Sequence, residues 1–434
     1  MNRPTVELTA SPWRFPEPEI HHLRNGLTVW HFPVAGQHVA AFELVVPASL
    51  TMEPRELEGV GTVALHGIDE STLSHPDIAE LLDLSGAALH ASAHLMATRL
   101  GGAAPSRRLG EVLPLFTEVL REPGYLEEDV ALHVEAQVAA YRTRRSSPAS
   151  AARWALRAGL YGLDQRHGRP LAGSPETLER LTRSDVVAWH GQHYAPNGAT
   201  LIVVGEIPDL DLSPLEEWTG HAERAARTEP ATGPGRVLIV DVPDAVQATI
   251  NLAVRSIPRT DPRWAPARLA GHIMAGGFAS RLNLELRERL GYTYGVNGGF
   301  VPDALASVAQ VSTNTRTEVA GDALARILDG LRLREPFTGD ELEDAKAYRI
   351  GVAPLANETS SDIAGQAAVL AEAGLDTSFV NEHTDALREV TVEQATETWR
   401  ELVHVDDLVI AVAGNAEALQ QQLQGFDPTV VELA

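Results

Sequence analysis

The chain of 434 residues contains no cysteine. This absence excludes disulfide bonds and thiolate metal ligands, so any metal would have to be bound by histidine and carboxylate groups. The sequence also lacks an apolar run of about 18 residues, the length that indicates a transmembrane helix. Residues 1–15 lack the basic start and apolar centre of a signal peptide. The absence of an apolar run and of a signal peptide predicts a cytoplasmic protein that does not associate with a membrane.

Positive charge is scarce as well. The chain has 35 Lys and Arg against 59 Asp and Glu, a formal net charge of −24. Binding to phosphate polymers depends on clustered cations, so nucleic acid is not expected as a partner. The acidic excess predicts mostly solvated surface and, at most, a weak preference of a binding cavity for basic peptides. No glycine-rich phosphate loop follows a predicted strand, so nucleotide binding has no support.

The length suits two domains of about 200 residues each, and an internal repeat supports this division. A shift of 209 positions lays Leu201–Gly205 on Ile410–Gly414, and a shift of 208 lays AAFELVV from Ala40 on ATINLAV from Ala248. A repeat this long indicates duplicated domains, because each copy is large enough to bury its own core. Residues 221–236 have the proline and glycine content of a linker, which predicts domains over residues 1–220 and 237–434.

The hydrophobic pattern predicts an α+β fold in which each domain is a mainly antiparallel sheet covered by helices. Two apolar runs, Leu27–Phe32 and Ala40–Val46, predict a pair of strands that opens the first sheet. Residues 89–100 and 201–205 also have strand character. Helices are predicted from about Leu57, from Pro76 to Gly86, over residues 109–120, 126–145 and 149–160, and from near Thr182. Capping boxes are predicted at Thr338 with Glu341 and at Thr391 with Gln394.

The most informative stretch is Gly276–Val296, GGFASRLNLELRERLGYTYGV. Ser280 is the predicted N-cap of a short helix that Gly291 ends, and the alternation that follows predicts a strand. Arg287 on the helix and Tyr294 on the strand could then present a guanidinium and a phenol side by side to a peptide carbonyl. From spacing alone, the same pair also fits a surface arginine at a helix C-terminus and a half-buried strand tyrosine.

This stretch resembles the most recognisable segment of the C-terminal half of the M16 metallopeptidases, the inverzincin family that includes pitrilysin, insulin-degrading enzyme and the mitochondrial processing peptidase. The resemblance covers nearly the whole chain and implies two homologous α+β domains that enclose a cavity together with a second chain. Active members carry His-x-x-Glu-His on a helix and a distant glutamate, which hold zinc and the water-activating base. An arginine and a tyrosine seven residues apart contact the substrate near the scissile bond, and Arg287 and Tyr294 match them.

The zinc motif itself is missing from this chain. Aligned on the motif, the segment EGVGTVALHGIDEST from Glu58 places Thr62 at the first zinc histidine and Leu65 at the general base, and only His66 is retained. In EAQVAAYRTR from Glu135, Arg142 falls at the position of the distant ligand. One imidazole without a carboxylate cannot hold a catalytic zinc ion, which takes three protein ligands. No cofactor is therefore expected in this chain, and His66 is interpreted as a helix residue at a vestigial site.

The resemblance thus implies a non-catalytic, substrate-binding subunit of a heterodimeric zinc peptidase. A homologous chain with an intact His-x-x-Glu-His would bind zinc, and this chain would supply Arg287 and Tyr294 to a peptide substrate. One alternative is a peptidase-derived scaffold without a proteolytic role. Another is an independent hydrolase with a non-standard metal site, for which the candidate ligands are His66, Asp69, Glu70 and His75, or His90 with His94.

Overall fold

The computed structural model describes residues 13–224, 229–303 and 307–432. Its framework is a pair of six-stranded sheets. The first sheet consists of β1 (Glu19–His22), β2 (Thr28–Pro33), β3 (Val39–Val46), β4 (Ala88–Ala93), β5 (Thr98–Pro105) and β6 (Thr200–Gly205). The second consists of β7 (Arg236–Asp241), β8 (Gln247–Arg255), β9 (Val296–Val301), β10 (Val308–Arg316), β11 (Val409–Gly414) and β12 (Thr429–Val431).

Most of the helices lie in the long connections between these strands. The first half contains α1 (Val60–His66), α2 (Ile78–Leu84), α3 (Leu109–Arg121), α4 (Glu127–Ser146), α5 (Pro148–Tyr161), α6 (Pro175–Leu178) and α7 (Arg183–His193). The second half contains α8 (Trp264–Gly271), α9 (Arg281–Asn283), α10 (Ala320–Leu331), α11 (Gly339–Val352), α12 (Ser360–Ala373), α13 (Ser378–Glu389), α14 (Val392–Leu402) and α15 (Ala416–Leu423). Two π-helical turns, His272–Gly276 and Leu284–Arg289, continue α8 and α9. None of the helices in the described ranges is both long and apolar enough to cross a membrane.

The internal repeat corresponds to a repeated topology. The strand order is β1-β2-β6-β3-β5-β4 in the first sheet and β12-β7-β11-β8-β10-β9 in the second, so only the edge strands β1 and β12 lack an equivalent. Neighbours are antiparallel in each sheet except for β2 with β6 and for β7 with β11 and β12. The α+β class with two mainly antiparallel sheets is therefore confirmed, as are both capping boxes.

One pairing prediction is wrong. The runs predicted as a strand pair form β2 and β3, but these strands do not pair with each other, because β6 lies between them. A short connection favours a hairpin on sequence grounds. The decisive property is instead the continuous apolar run of β6, which suits a central strand buried on both faces. The segment of residues 89–100 does form a hairpin, β4 with β5.

Each sheet is covered on one face by a helix from the other half of the chain. Ile202 and Val204 of β6 pack against α12, whereas Leu201 and Val203 face the core of the first half. Equivalent positions of β11 pack against α5, whose Gly159 lies so close that an added Cβ would be 2.6 Å from Val409 Cγ1. Each half therefore buries one face of its sheet by itself and the other only through its counterpart.

The predicted domain boundaries stay a prediction. Of the proposed linker, residues 225–228 lie outside the described residues, and Arg236 already begins β7. Residues 1–12 of the N-terminal segment, from which a cytoplasmic location is predicted, also lie outside the described ranges.

Candidate functional site

The turn that carries Arg287 and Tyr294 lies between α9 and β9. The helix begins after Ser280, which holds the N-cap position as predicted, but its hydroxyl accepts a hydrogen bond from Asn283 Nδ2 (3.0 Å) rather than from an amide of the first turn. Gly291 ends the π-helical turn with a φ of +63°, the left-handed conformation that favours glycine. The predicted order of helix, glycine stop and strand is confirmed.

Asn283 holds this turn together. The side chain is buried, its Nδ2 donates to Gly277 O (3.0 Å) and Val296 O (2.8 Å), and its Oδ1 accepts from Val296 N (2.8 Å). One amide therefore ties the start of the helix to the first residue of β9. The sequence did not single out Asn283, because an asparagine within a helical apolar pattern does not reveal what it faces.

We expect Asn283→Leu to lower the free energy of unfolding by about 1–3 kcal/mol, because it leaves the buried N–H and C=O of Val296 without partners. Asn297→Ala is the matched control, since Asn297 is exposed on β9 and surface changes of this kind usually stay within about 0.5 kcal/mol. Chemical denaturation compares the two variants with the parent chain. Equal losses in both would contradict the role of Asn283.

Tyr294 does not lie on the strand as predicted. It is 97% exposed and precedes β9, which begins at Val296. The reason is local: Thr293 Oγ1 donates to Gly295 O (2.9 Å) and accepts from Gly295 N (3.0 Å), which folds the backbone at Tyr294 out of the ladder. The phenol therefore projects into solvent from a turn.

The guanidinium of Arg287 is held more firmly than the phenol. Its Cζ lies 3.5 Å from the ring centroid of Phe278, Nε donates to Glu288 Oε1 (2.9 Å), and the side chain is 15% exposed. Phe278 itself is 79% exposed. Stacking on an aromatic ring leaves the edge of a guanidinium able to donate further hydrogen bonds. The turn thus presents a cation positioned by one exposed aromatic side chain, Phe278, and carries a second exposed aromatic side chain, Tyr294.

The helix that aligns with the zinc motif is α1, and its side chains are not arranged as metal ligands. Leu65 is buried, Thr62 is half-buried, and His66 is exposed with its ring stacked on that of His133 of α4 (6.1 Å between centroids). His133 Nε2 in turn lies 3.2 Å from Glu70 Oε1. Asp69 interacts electrostatically with both imidazoles. Among the described residues, however, these groups do not form a trio with the spacing of metal ligands.

A cavity of about 450 Å³ lies beside α1 and includes Thr62, Leu65 and His66 in its wall. We call it the arginine cavity, because its wall also contains Arg144, Arg153, Arg157 and Arg169. Arg142, aligned with the distant zinc ligand, is exposed and does not line the cavity. The described wall contains one imidazole, four guanidinium groups and no carboxylate. This donor set does not fit Zn²⁺, which needs neutral or anionic ligands.

The other candidate metal ligands, His75, His90 and His94, each contact a different group. His75 Nδ1 contacts Glu118 (2.9 Å), His90 pairs with Glu43, and His94 Nε2 lies 2.8 Å from Ser92 Oγ. Within the described ranges, the one trio with ligand spacing is Glu19, His21 and His31. It lies on β1 and β2, whereas the arginine cavity borders β4 at the opposite edge of the sheet. The trio is therefore not a displaced form of the site at α1.

Comparisons with known proteins agree with this architecture. Residues 180–348 match the family model described as the peptidase M16 inactive domain. An uncharacterized zinc protease of Mycobacterium leprae is 27% identical over 58% of this chain and 62% of its own length. One of Mycobacterium tuberculosis is 26% identical over 82% of this chain and 84% of its own length. The crystal structure of a peptidase M16 inactive domain from Pseudomonas fluorescens has a TM-score of 0.83 at 24% identity, over 92% of this chain and 98% of that one.

The fold and the sequence of α1 define a chain of two homologous α+β halves without a His-x-x-Glu-His motif on that helix. The chain has the fold of the M16 inactive domain, and its residues 180–348 match the model of that family.

Proposed function

We propose that this chain is the non-catalytic, substrate-binding subunit of a heterodimeric M16 zinc peptidase. Its partner is a homologous chain with an intact His-x-x-Glu-His, and the substrate is a peptide. The observation that carries the proposal is the contrast between the two halves. The second half presents Arg287 and the fully exposed Tyr294 on a turn tied by Asn283, whereas Thr62 and Leu65 of the first half border a cavity of arginines.

In this proposal the two residues act as hydrogen-bond donors to the peptide backbone. The zinc site of the partner would supply the activated water for attack on the peptide carbonyl. Arg287, oriented by Phe278, and Tyr294 hold the substrate and stabilise negative charge that develops on its carbonyl oxygen. Tyr294 is 97% exposed in the isolated chain, so its contribution depends on closure against the partner, which removes water and strengthens electrostatic contacts.

The test is reconstitution. The purified chain is mixed with a homologous M16 chain that has an intact zinc motif, and cleavage is followed with a varied set of internally quenched peptides. We expect cleavage by the mixture and none by this chain alone, and we expect metal analysis of the purified chain to find no stoichiometric zinc. A mixture that cleaves none of the peptides would favour the scaffold alternative. Cleavage by this chain alone, with bound zinc, would favour an independent hydrolase.

The cytoplasmic location stays a prediction from the sequence.

A further inference from the structure

The arginine cavity concentrates positive charge in a chain whose net charge is −24. Its wall is formed by α1, the end of β4, α4, α5 and the segment of residues 169–172. A cleft lined by charge of one sign focuses the electrostatic field and attracts ligands of the opposite sign. The local field here is therefore opposite in sign to that of the chain as a whole.

Two of the four arginines are held in place by protein groups. Arg169 Nε donates to Glu58 Oε1 (2.8 Å), and its NH1 donates to the carbonyl of Leu163 (2.8 Å). Arg157 Nε donates to His167 O (3.1 Å). Burial lowers the pKa of Arg157 to about 10, so this guanidinium still carries its charge at neutral pH.

The other two arginines supply charge that the described protein does not neutralise. Arg144 and Arg153 are both exposed, and within the described residues no carboxylate lies within ion-pair distance of either. Arg157, which is largely buried, also has no carboxylate within ion-pair distance among the described residues, and Asp303 acts on it only through a longer-range electrostatic interaction. Many arginines elsewhere in the described chain do form ion pairs, such as Arg166 with Glu53. Because like charges near each other repel, a surplus of guanidinium groups in one cavity is best stabilised by an anionic ligand.

We propose that the arginine cavity binds an acidic segment of a peptide, through its Asp or Glu side chains. Guanidinium groups bind carboxylates with paired, charge-assisted hydrogen bonds. The volume of about 450 Å³ is in the usual range of ligand pockets. Residues 91–93 at the end of β4, the edge strand of the first sheet, border the cavity, and edge strands offer backbone groups with which an extended peptide can pair.

The cavity thus favours acidic peptides, the opposite of the preference for basic peptides that the net charge predicts, because the electrostatic field inside the cavity is set by the side chains of its wall. That the acidic segment belongs to the substrate rests on the proposed function. Binding of an acidic peptide to the cavity does not rest on the proposed function, because it requires no partner chain and no zinc. The two ideas can therefore fail separately.

The test measures binding to the full isolated chain by fluorescence anisotropy. The probe is a short oligoglutamate peptide with an amidated C-terminus and a neutral fluorophore, and an oligoglutamine peptide of equal length is its counterpart. We expect oligoglutamate to bind at least about tenfold more tightly, because hydrogen bonds between charged groups are strong enough for such a factor. We also expect the charge reversals Arg144→Glu and Arg153→Glu each to weaken oligoglutamate binding about tenfold.

Arg142→Glu is the matched control. Arg142 lies on the same helix two residues before Arg144 and is exposed, but it does not line the cavity. This variant has the same net charge as Arg144→Glu, and we expect it to bind the probe within about twofold of the parent. Equal binding of the two peptides, or equal losses in Arg142→Glu and Arg144→Glu, would overturn the proposal. Inorganic phosphate that binds as tightly as oligoglutamate would identify a small-anion site and overturn the assignment to a peptide.

Discussion

Replacing Arg287 with alanine is expected to lower the turnover of the reconstituted pair by about 10²- to 10³-fold, and Tyr294→Phe is expected to have an effect of the same order. Loss of one donor that stabilises a developing oxyanion typically has this consequence. The chain alone should fold as before, because Tyr294 is 97% exposed and Arg287 contacts mainly Phe278 and Glu288. Steady-state cleavage rates of an internally quenched peptide, with the partner in excess, measure the effect.

Arg289→Ala is the control for this pair of variants. Arg289 lies in the same π-helical turn, its side chain is 61% exposed, and it pairs with Glu285 four residues earlier. An exposed pair of this kind contributes less than about 1 kcal/mol, and we expect cleavage rates near those of the parent. Arg287→Lys separates charge from geometry, because lysine keeps the charge but lacks the planar fork. Turnover that stays unchanged in Arg287→Ala and Tyr294→Phe would refute the assigned role.

Removing the guanidinium of Arg166 is expected to lower the free energy of unfolding by about 3–5 kcal/mol, since it leaves a buried carboxylate without its counter-charge. The side chain of Glu53 is fully buried, and its Oε2 accepts from Arg166 NH2 (2.7 Å). Its Oε1 accepts from the amides of Gly59 (3.1 Å) and Gly61 (2.9 Å) at the start of α1. Burial raises the pKa of Glu53, and Arg166 counters this shift. Arg166→Met therefore also weakens the start of α1, the helix that borders the arginine cavity.

The control is Arg180→Met, which breaks an exposed pair with Glu176 (3.1 Å) and should change the free energy of unfolding by less than about 1 kcal/mol. Glu53→Gln combined with Arg166→Met should recover part of the loss, because glutamine keeps an acceptor for the two amides without a buried charge. Midpoints of urea denaturation provide the comparison. An Arg166→Met midpoint equal to that of Arg180→Met would show that the buried pair contributes no more than a surface pair.

Local patterns predicted much of the secondary structure. The capping boxes at Thr338 and Thr391 and the glycine stop at Gly291 depend on groups only a few residues apart, so sequence neighbours determine them. Tyr294 was placed wrongly because its alternation with Tyr292 and Val296 suits a strand, whereas the hydrogen bonds of Thr293 form a turn. The alternation of side chains favours a strand at this position, whereas the side-chain hydrogen bonds favour a turn. The periodicity of the sequence indicates only the strand.

The arginine cavity could not have been predicted in the same way. Its cations come from α4, α5 and the segment after Arg166, and their convergence depends on how these elements pack. Arg142 and Arg144 illustrate the difficulty. Residues two positions apart on a helix point to different sides. The alignment to the zinc motif therefore singled out the arginine that does not line the cavity.

The sequence by itself determined that the chain is a duplication and that its first half has no His-x-x-Glu-His motif, because both follow from which residues stand at which positions. The tertiary structure alone decided that α5 and α12 each cover the sheet of the other half, because a central strand buried on both faces needs an apolar partner but does not specify where in the chain it comes from. It also decided the sign of the charge beside α1, since the field in a cavity depends on the side chains that converge there and not on the net charge of the chain.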